Sequence, residues 1–370
     1  MVEQMNRPER RGWLAAFVKW SAFAVIASVM CEVGARLDDW FFEDVPVLAS
    51  PSVNHLFSSD ETGMRHGIPG ARWKKVRLNN LGLRGPDVPV ERRADCRRWM
   101  FLGASETFGD PAQSNREFPA RVLALSVNPV DSCPEVLNTA FPAFDVRAIT
   151  RYYQFYMAQY RPDTVFIYPP THFYLGDVAP RNTQPPAQPA VVQLAAPPSL
   201  LERSRFFERL KDTAEVPAFL QKRRVQRWIT SAEQGHDANW RFTTVPAERL
   251  DMLAEDLRAL IELVRASGAE PVLLTHAVRV AAPPRPEDST DLYAMRVYLP
   301  RATEEVIARF EYAAAERTRA VASETGTRLV DVAQQLSGRR EQFVDLVHFA
   351  PSGHDEVAHL IVDAMREARP

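Results

Sequence analysis

From Cys96 onward the chain alternates short apolar runs with amphipathic stretches, and this alternation constrains the fold more than any other feature. The runs fall at residues 99–103, 136–138, 164–168, 270–275 and 328–332. Between them, Leu250, Leu253, Leu257, Leu260, Ile261 and Val264 recur at helical spacing. So do Val357, Ala358, Ile361, Val362 and Met365, after Ser352 and Asp355 as a capping pair. Short apolar strands separated by helices predict an α/β domain whose parallel sheet is covered on both faces. The composition permits it: 46% hydrophobic and 25% charged residues can bury a sizeable core, which excludes a disordered, fibrous or disulfide-dense chain. Forty-five Lys and Arg against 47 Asp and Glu leave a net charge of −2, so bulk charge gives no reason to expect nucleic acid as a partner. Pro at 29 against Gly at 15 favours rigid loops over hinges.

Residues 13–31 read WLAAFVKWSAFAVIASVMC, with Lys19 as the one charge, which is close to the length that crosses a bilayer core. Arg7, Arg10 and Arg11 precede the run; Glu32, Asp38, Asp39, Glu43 and Asp44 follow it. The Arg excess predicts residues 1–37 as a cytoplasmic tail and single-pass transmembrane helix of the inner membrane, with the rest facing the periplasm. A cleaved signal peptide cut near Ala27 or Ala35 is the alternative; the absence of Ala-x-Ala at the end of the run favours the anchor. Residues 38–95, rich in Pro and Gly turns, read as an extended stalk, and 96–370 as the domain. Within it, 176–246 is an insertion, Pro-rich at first and then predicting two amphipathic helices over the mouth of the site. The second carries Lys222, Arg223, Arg224 and Arg227, a solvated basic face or a lipid-facing one.

Three cysteines without Cys-x-x-Cys or zinc-spaced histidines give no reason to expect a metal, and no cofactor is expected. In an oxidising compartment two can pair. Cys96 and Cys133 each precede an apolar run and would enter neighbouring strands, so a Cys96–Cys133 disulfide is expected, two unrelated thiols being the alternative.

FLGASETFG (101–109) follows the first core strand and opens a helix, which puts the Ser105 hydroxyl at the carboxyl edge of the sheet, where ligands bind in open α/β folds. An N-capping Ser would look the same. DLVH (345–348) follows the last strand; a spacing of three in a loop lets Asp345 reach one nitrogen of His348 and leaves the other as a general base. In this order the two motifs resemble the SGNH or GDSL hydrolase family over roughly residues 96–370. NNLGLRG (79–85) is similar to the lead-in of its membrane-anchored members.

The resemblance implies a flavodoxin-like three-layer α/β/α sandwich that hydrolyses or transfers ester-linked acyl groups. It makes Ser105 the nucleophile, His348 the base and Asp345 its orienting carboxylate. The family's Asp before Ser is Ala104 here, and the second motif survives as NTAFPA (138–143), with Ala140 in the place of a Gly whose N–H serves an oxyanion hole. The third aligns with PTHF (170–173), so His172 stands where the family has an Asn that donates to the oxyanion. The expected function is an anchored serine esterase or deacylase acting on acylated envelope glycans or lipids. The alternatives are an O-acyltransferase with the same acyl-serine intermediate, and a binding or assembly module that keeps only the fold. His276, His354, His359, His236, His66 and His55 are read as structural or solvated, although His276 stands at a strand end and could line the pocket.

Overall fold

The computed structural model describes residues 7–43, 45–48, 53–74, 76–109, 115–126, 133–178, 204–213 and 218–367. They fall into two compact units, one spanning Met1–His55, Arg72–Lys75 and Ala196–Glu215, the other Leu56–Ala71, Val76–Ala195 and Val216–Pro370.

The second unit is built on a five-stranded sheet: β1 (Cys96–Leu102), β2 (Cys133–Asn138), β3 (Thr164–Ile167), β4 (Glu270–Leu274) and β5 (Arg328–Val330). All pairings are parallel and the spatial order is β2-β1-β3-β4-β5, the doubly wound flavodoxin-like arrangement. Near-continuous apolar text puts β3 in the middle of the sheet: every β3 residue is buried, and Phe101 stacks on Phe166 at 4.6 Å across the β1–β3 pair. Helices cover the sheet because their apolar faces have no other place to bury. Leu253, Leu257, Leu260, Ile261 and Val264 lie buried on Ala247–Ala266, and Val357, Ala358 and Ile361 on Pro351–Glu367. The latter helix starts at Pro351, so Ser352 and Asp355 do not cap it: Ser352 Oγ donates to the Glu341 carbonyl and Asp355 pairs with Arg121.

The Cys96 and Cys133 sulfurs lie 2.03 Å apart, between residues that face each other in the β1–β2 register. Two positions along the same pair, the fully buried Arg98 meets Glu135 at 2.7 Å and donates to the carbonyls of Pro89, Val90 and Tyr160. Burying a guanidinium is tolerated because its donors are met in this way.

Residues 38–95 are not a stalk. The first helix continues through Glu43, and from Leu56 the chain belongs to the sheet-bearing unit, apart from Arg72–Lys75. Leu56, Phe57, Leu78 and Leu83 are buried. Asn79 organises the turn that follows: its Oδ1 accepts the N–H groups of Leu81 and Leu83, both at 2.9 Å, and Nδ2 donates to the Pro86 carbonyl. Gly82 is required there, since its φ is +73° and a Cβ would stand 2.1 Å from the Gly67 oxygen.

In the first unit, the helix α1 (Arg7–Glu43) presents Trp13, Phe17, Trp20, Phe23, Ile26 and Met30 to the surroundings. Its segment Ala16–Phe42 is long and apolar enough to cross a membrane. The polar end of α1 holds the helix Arg205–Thr213. Glu32 accepts the Arg205 and Phe206 N–H groups at 3.0 and 2.9 Å, supplying from another helix the cap that a helix start needs. Asp39 pairs with Arg205 and Arg209. This is why α1 outlasts its apolar run. The second insertion helix, Ala218–Glu233, forms in the other unit, with Ile229 buried and Arg223 and Arg227 exposed. The Pro-rich stretch from Pro180 to Pro198 lies outside the described residues.

Candidate active site

The segments that follow the strands bring the candidate groups toward the carboxyl edge of the sheet. Ser105 follows β1 and opens the short helix Ser105–Phe108. The turn into it is tight: a Cβ on Gly103 would stand 2.0 Å from Thr107 Oγ1, so this position takes no side chain. As first residue of that helix, Ser105 contributes its own N–H to the donors a helix leaves unpaired. Its Oγ lies 3.5 Å from Glu106 Oε2. The turn is braced by the lead-in motif. Buried Arg84 pairs with Glu117 at 3.3 Å, lies over the Phe108 ring at 4.9 Å and bridges Asn138 through its backbone.

After β5, the loop from Phe343 to Phe349 closes on itself by an antiparallel bridge. It is tied to the segment after β4 by Arg279, whose N–H donates to the Leu346 carbonyl at 2.9 Å. Within it His348 Nδ1 donates to Asp345 Oδ2 at 2.7 Å, while Asp345 Oδ1 accepts the Val347 and His348 N–H groups. Burial works to raise the Asp345 carboxyl, but the His348 hydrogen bond and charge outweigh it and hold it below the ordinary value. With Nδ1 engaged as donor, Nε2 is the basic nitrogen, the tautomer a general base needs.

Ala140 follows β2. Its φ is not among the positive values, so the Cβ that Gly would lack costs no left-handed strain. Its N–H donates to Asn138 Oδ1 at 3.3 Å, a long bond, and Asn138 Nδ2 donates to the Thr107 carbonyl at 3.0 Å, linking the β2 end to the Ser105 helix. His172 lies in the turn Thr171–Leu175 after β3, buried, and burial pushes its ring below the ordinary value, so it is neutral near pH 7.

The sequence does not single out Glu106 or Glu311, and it reads His276 as structural or solvated, with pocket lining at a strand end as the alternative. All three are buried at this edge of the sheet. His276, after β4, holds Glu311 at 2.8 Å through Nδ1 and stands 3.5 Å from Glu106 Oε1 through Nε2. Burial opposes the charge on His276, but Glu311 and Glu106 outweigh it and raise the ring to about 9. Burial likewise works to raise Glu106, but the His276 hydrogen bond and the charge that the surrounding imidazoles carry when protonated hold it at about 2. Apart from the position of His276 at a strand end, the sequence carries no signal for this group, because Glu106, His276 and Glu311 belong to segments that meet only when the sheet forms.

A doubly wound α/β protein with Ser, His and Asp at the carboxyl edge of its sheet is thus the class that fold and site define. No protein-family model and no curated protein matches the chain. Solved structures similar to it include a GDSL-like lipase from Bacteroides thetaiotaomicron, at 12% identity and TM-score 0.39 over 74% of this chain and 89% of that one. They also include a catalytic mutant of an acetylxylan esterase from Geobacillus stearothermophilus, at 14% identity and TM-score 0.40 over 73% and 93%. A lipase/acylhydrolase from Enterococcus faecalis is similar at 12% identity and TM-score 0.40 over 73% and 96%.

Proposed function

We propose that this chain is a membrane-anchored serine hydrolase that cleaves ester-linked acyl groups through an acyl-Ser105 intermediate. The observation that carries the reading is the 2.7 Å Asp345–His348 pair, in a loop tied to the segment after β4. His348 Nε2 takes the proton of the Ser105 hydroxyl as Oγ attacks the ester carbonyl, and Asp345 stabilises the imidazolium that results. Collapse of the tetrahedral intermediate expels the alcohol, which leaves with that proton. Water then attacks the acyl-serine with His348 again as base, and the acid departs.

Charge on the carbonyl oxygen is met by backbone and ring donors. The long Ala140 N–H bond to Asn138 is weak enough to yield to an oxyanion, and a neutral His172 has one ring N–H to donate. The apolar α1 supplies the anchor, which suggests acylated envelope glycans or lipids as substrates.

A sugar hydroxyl replacing water in the second step would make the same site an O-acyltransferase. A binding module is the reading favoured by the Ala140 N–H being already engaged. The test is labelling of the detergent-solubilised full chain with a fluorophosphonate, followed by a panel of p-nitrophenyl esters and acetylated sugars. Wild type is expected to form an adduct and turn over short-chain esters, whereas Ser105→Ala forms none. A folded wild type that takes no Ser105-dependent label is a binding module instead.

A further inference from the structure

Glu106, His172 and His276 come from three strand ends and turn one ligand atom each toward a common point. Oε1 of Glu106 lies 3.8 Å from Nδ1 of His172 and 3.5 Å from Nε2 of His276, and the three atoms all fall within 4.8 Å of one another. A zinc ion bound tetrahedrally at its usual bond lengths keeps its ligand atoms about 3.4 Å apart, so the triangle needs side-chain shifts of only a few tenths of an ångström to about 1 Å.

A second, independent observation points the same way. His172 is 5% exposed, yet among the described residues its Nδ1 has no hydrogen-bond partner. A buried ring nitrogen left unsatisfied costs about 1–3 kcal/mol, a cost that a ligand can remove. The third feature is the outer partner. His276 gives its other nitrogen, Nδ1, to Glu311 at 2.8 Å, and Glu311 is itself held by the Thr171 hydroxyl at 2.5 Å. Metal-ligating histidines almost always give their far nitrogen to such an outer partner, a carboxylate, a backbone carbonyl or water. Glu106 and Glu311 are both buried, and a divalent ion beside them would offset their charge in place of a protonated His276.

We infer that Glu106, His172 and His276 bind one divalent transition-metal ion, zinc fitting best, with Glu311 orienting His276 from behind. Two His and one carboxylate leave a fourth position to water or substrate, the ligand set of open zinc sites. Ligation through Nδ1 also fixes the proton of His172 on Nε2. The site stands whether or not Ser105 is a nucleophile.

The experiment is titration of the chelator-stripped, detergent-solubilised full chain with Co2+, followed by displacement with Zn2+. One cobalt per chain with the intense visible bands of four-coordinate Co2+, lost on adding one equivalent of zinc, is expected. Glu106→Gln and His276→Ala should abolish the bands, and Ser105→Ala and the exposed His359→Gln should keep them. If the first two fail to fold, Glu311→Gln carries the test, since loss of an outer partner weakens zinc roughly 10- to 100-fold in competition with a chromogenic chelator. Folded wild type showing only weak six-coordinate cobalt overturns the site, as does a Glu311→Gln chain with unchanged zinc affinity. Because Ser105→Ala separates cobalt binding from fluorophosphonate labelling, failure of the metal site and failure of the esterase reading give different results.

Discussion

Gly103 and Thr107 set the pitch of the turn that carries Ser105, and the neighbouring side chains decide what that hydroxyl meets. His172 gives a prediction about catalytic rate under the proposed mechanism. In that mechanism its ring serves in place of an amide donor, and removal of one oxyanion donor typically costs about 10²–10³ in kcat. His172→Ala is therefore expected to lower kcat for p-nitrophenyl acetate by that order with KM little changed; unaltered turnover in the folded variant would remove the ring from the mechanism. His354 gives a prediction of a different kind. Its Nδ1 accepts the Phe118 N–H at 3.2 Å, and burial, aided by the charge of Arg84, pushes the ring down to about 3. In the unfolded chain a histidine titrates near 6.5, so between the two values only the unfolded state binds the proton. Stability then falls as pH drops through this window, by up to about 1.4 kcal/mol per pH unit. Urea midpoints measured from pH 7 to pH 4 should show this slope, and His354→Gln should flatten it. An unchanged slope in the variant would assign the acid sensitivity to other groups.

Among the elements, the β1–β2 pair combines a disulfide with a buried ion pair. Cys96 and Cys133 close a sequence separation of 37 residues at its entry, and the Arg98–Glu135 pair sits just beyond. A disulfide closing a loop of this size stabilises by about 2–4 kcal/mol, chiefly by restricting the unfolded chain. Replacing both cysteines with Ser should lower the urea midpoint accordingly while leaving fluorophosphonate labelling intact in the folded fraction. Non-reducing peptide mass spectrometry of wild type should recover the two peptides linked; two free thiols there would remove the bond. The pairing of strand entries was legible because each Cys stands directly before an apolar run. The reach of α1 to Glu43 was not, because it depends on Asp39 and Glu32 meeting a helix that begins at Arg205.

For the whole molecule, the prediction concerns the amino-terminal helix. An uncleaved anchor requires that the purified native chain retain residues 1–31 by intact mass and stay with the membrane through alkaline carbonate extraction. A mature chain starting after Ala27 or Ala35 would instead make that segment a signal peptide. Bulk charge carries no information on this point, since the local asymmetry around the run is lost in the balance of 45 basic and 47 acidic residues over the whole chain.

The amino-acid sequence by itself determined the five strands, their parallel pairing under helices and the Asp345–His348 spacing. Those properties are local: apolar runs, helical periodicity and a three-residue loop step are written along the chain and need no distant partner. It misread 38–95 as a stalk because turn-forming text says nothing about what a segment packs against, and Arg84 finds Glu117 and Phe108 only in the folded unit. Tertiary structure alone gathered Glu106, His172, His276 and Glu311 into one buried group. Those residues share no spacing; their contact is created by strand order, which places the ends of β1, β3 and β4 side by side.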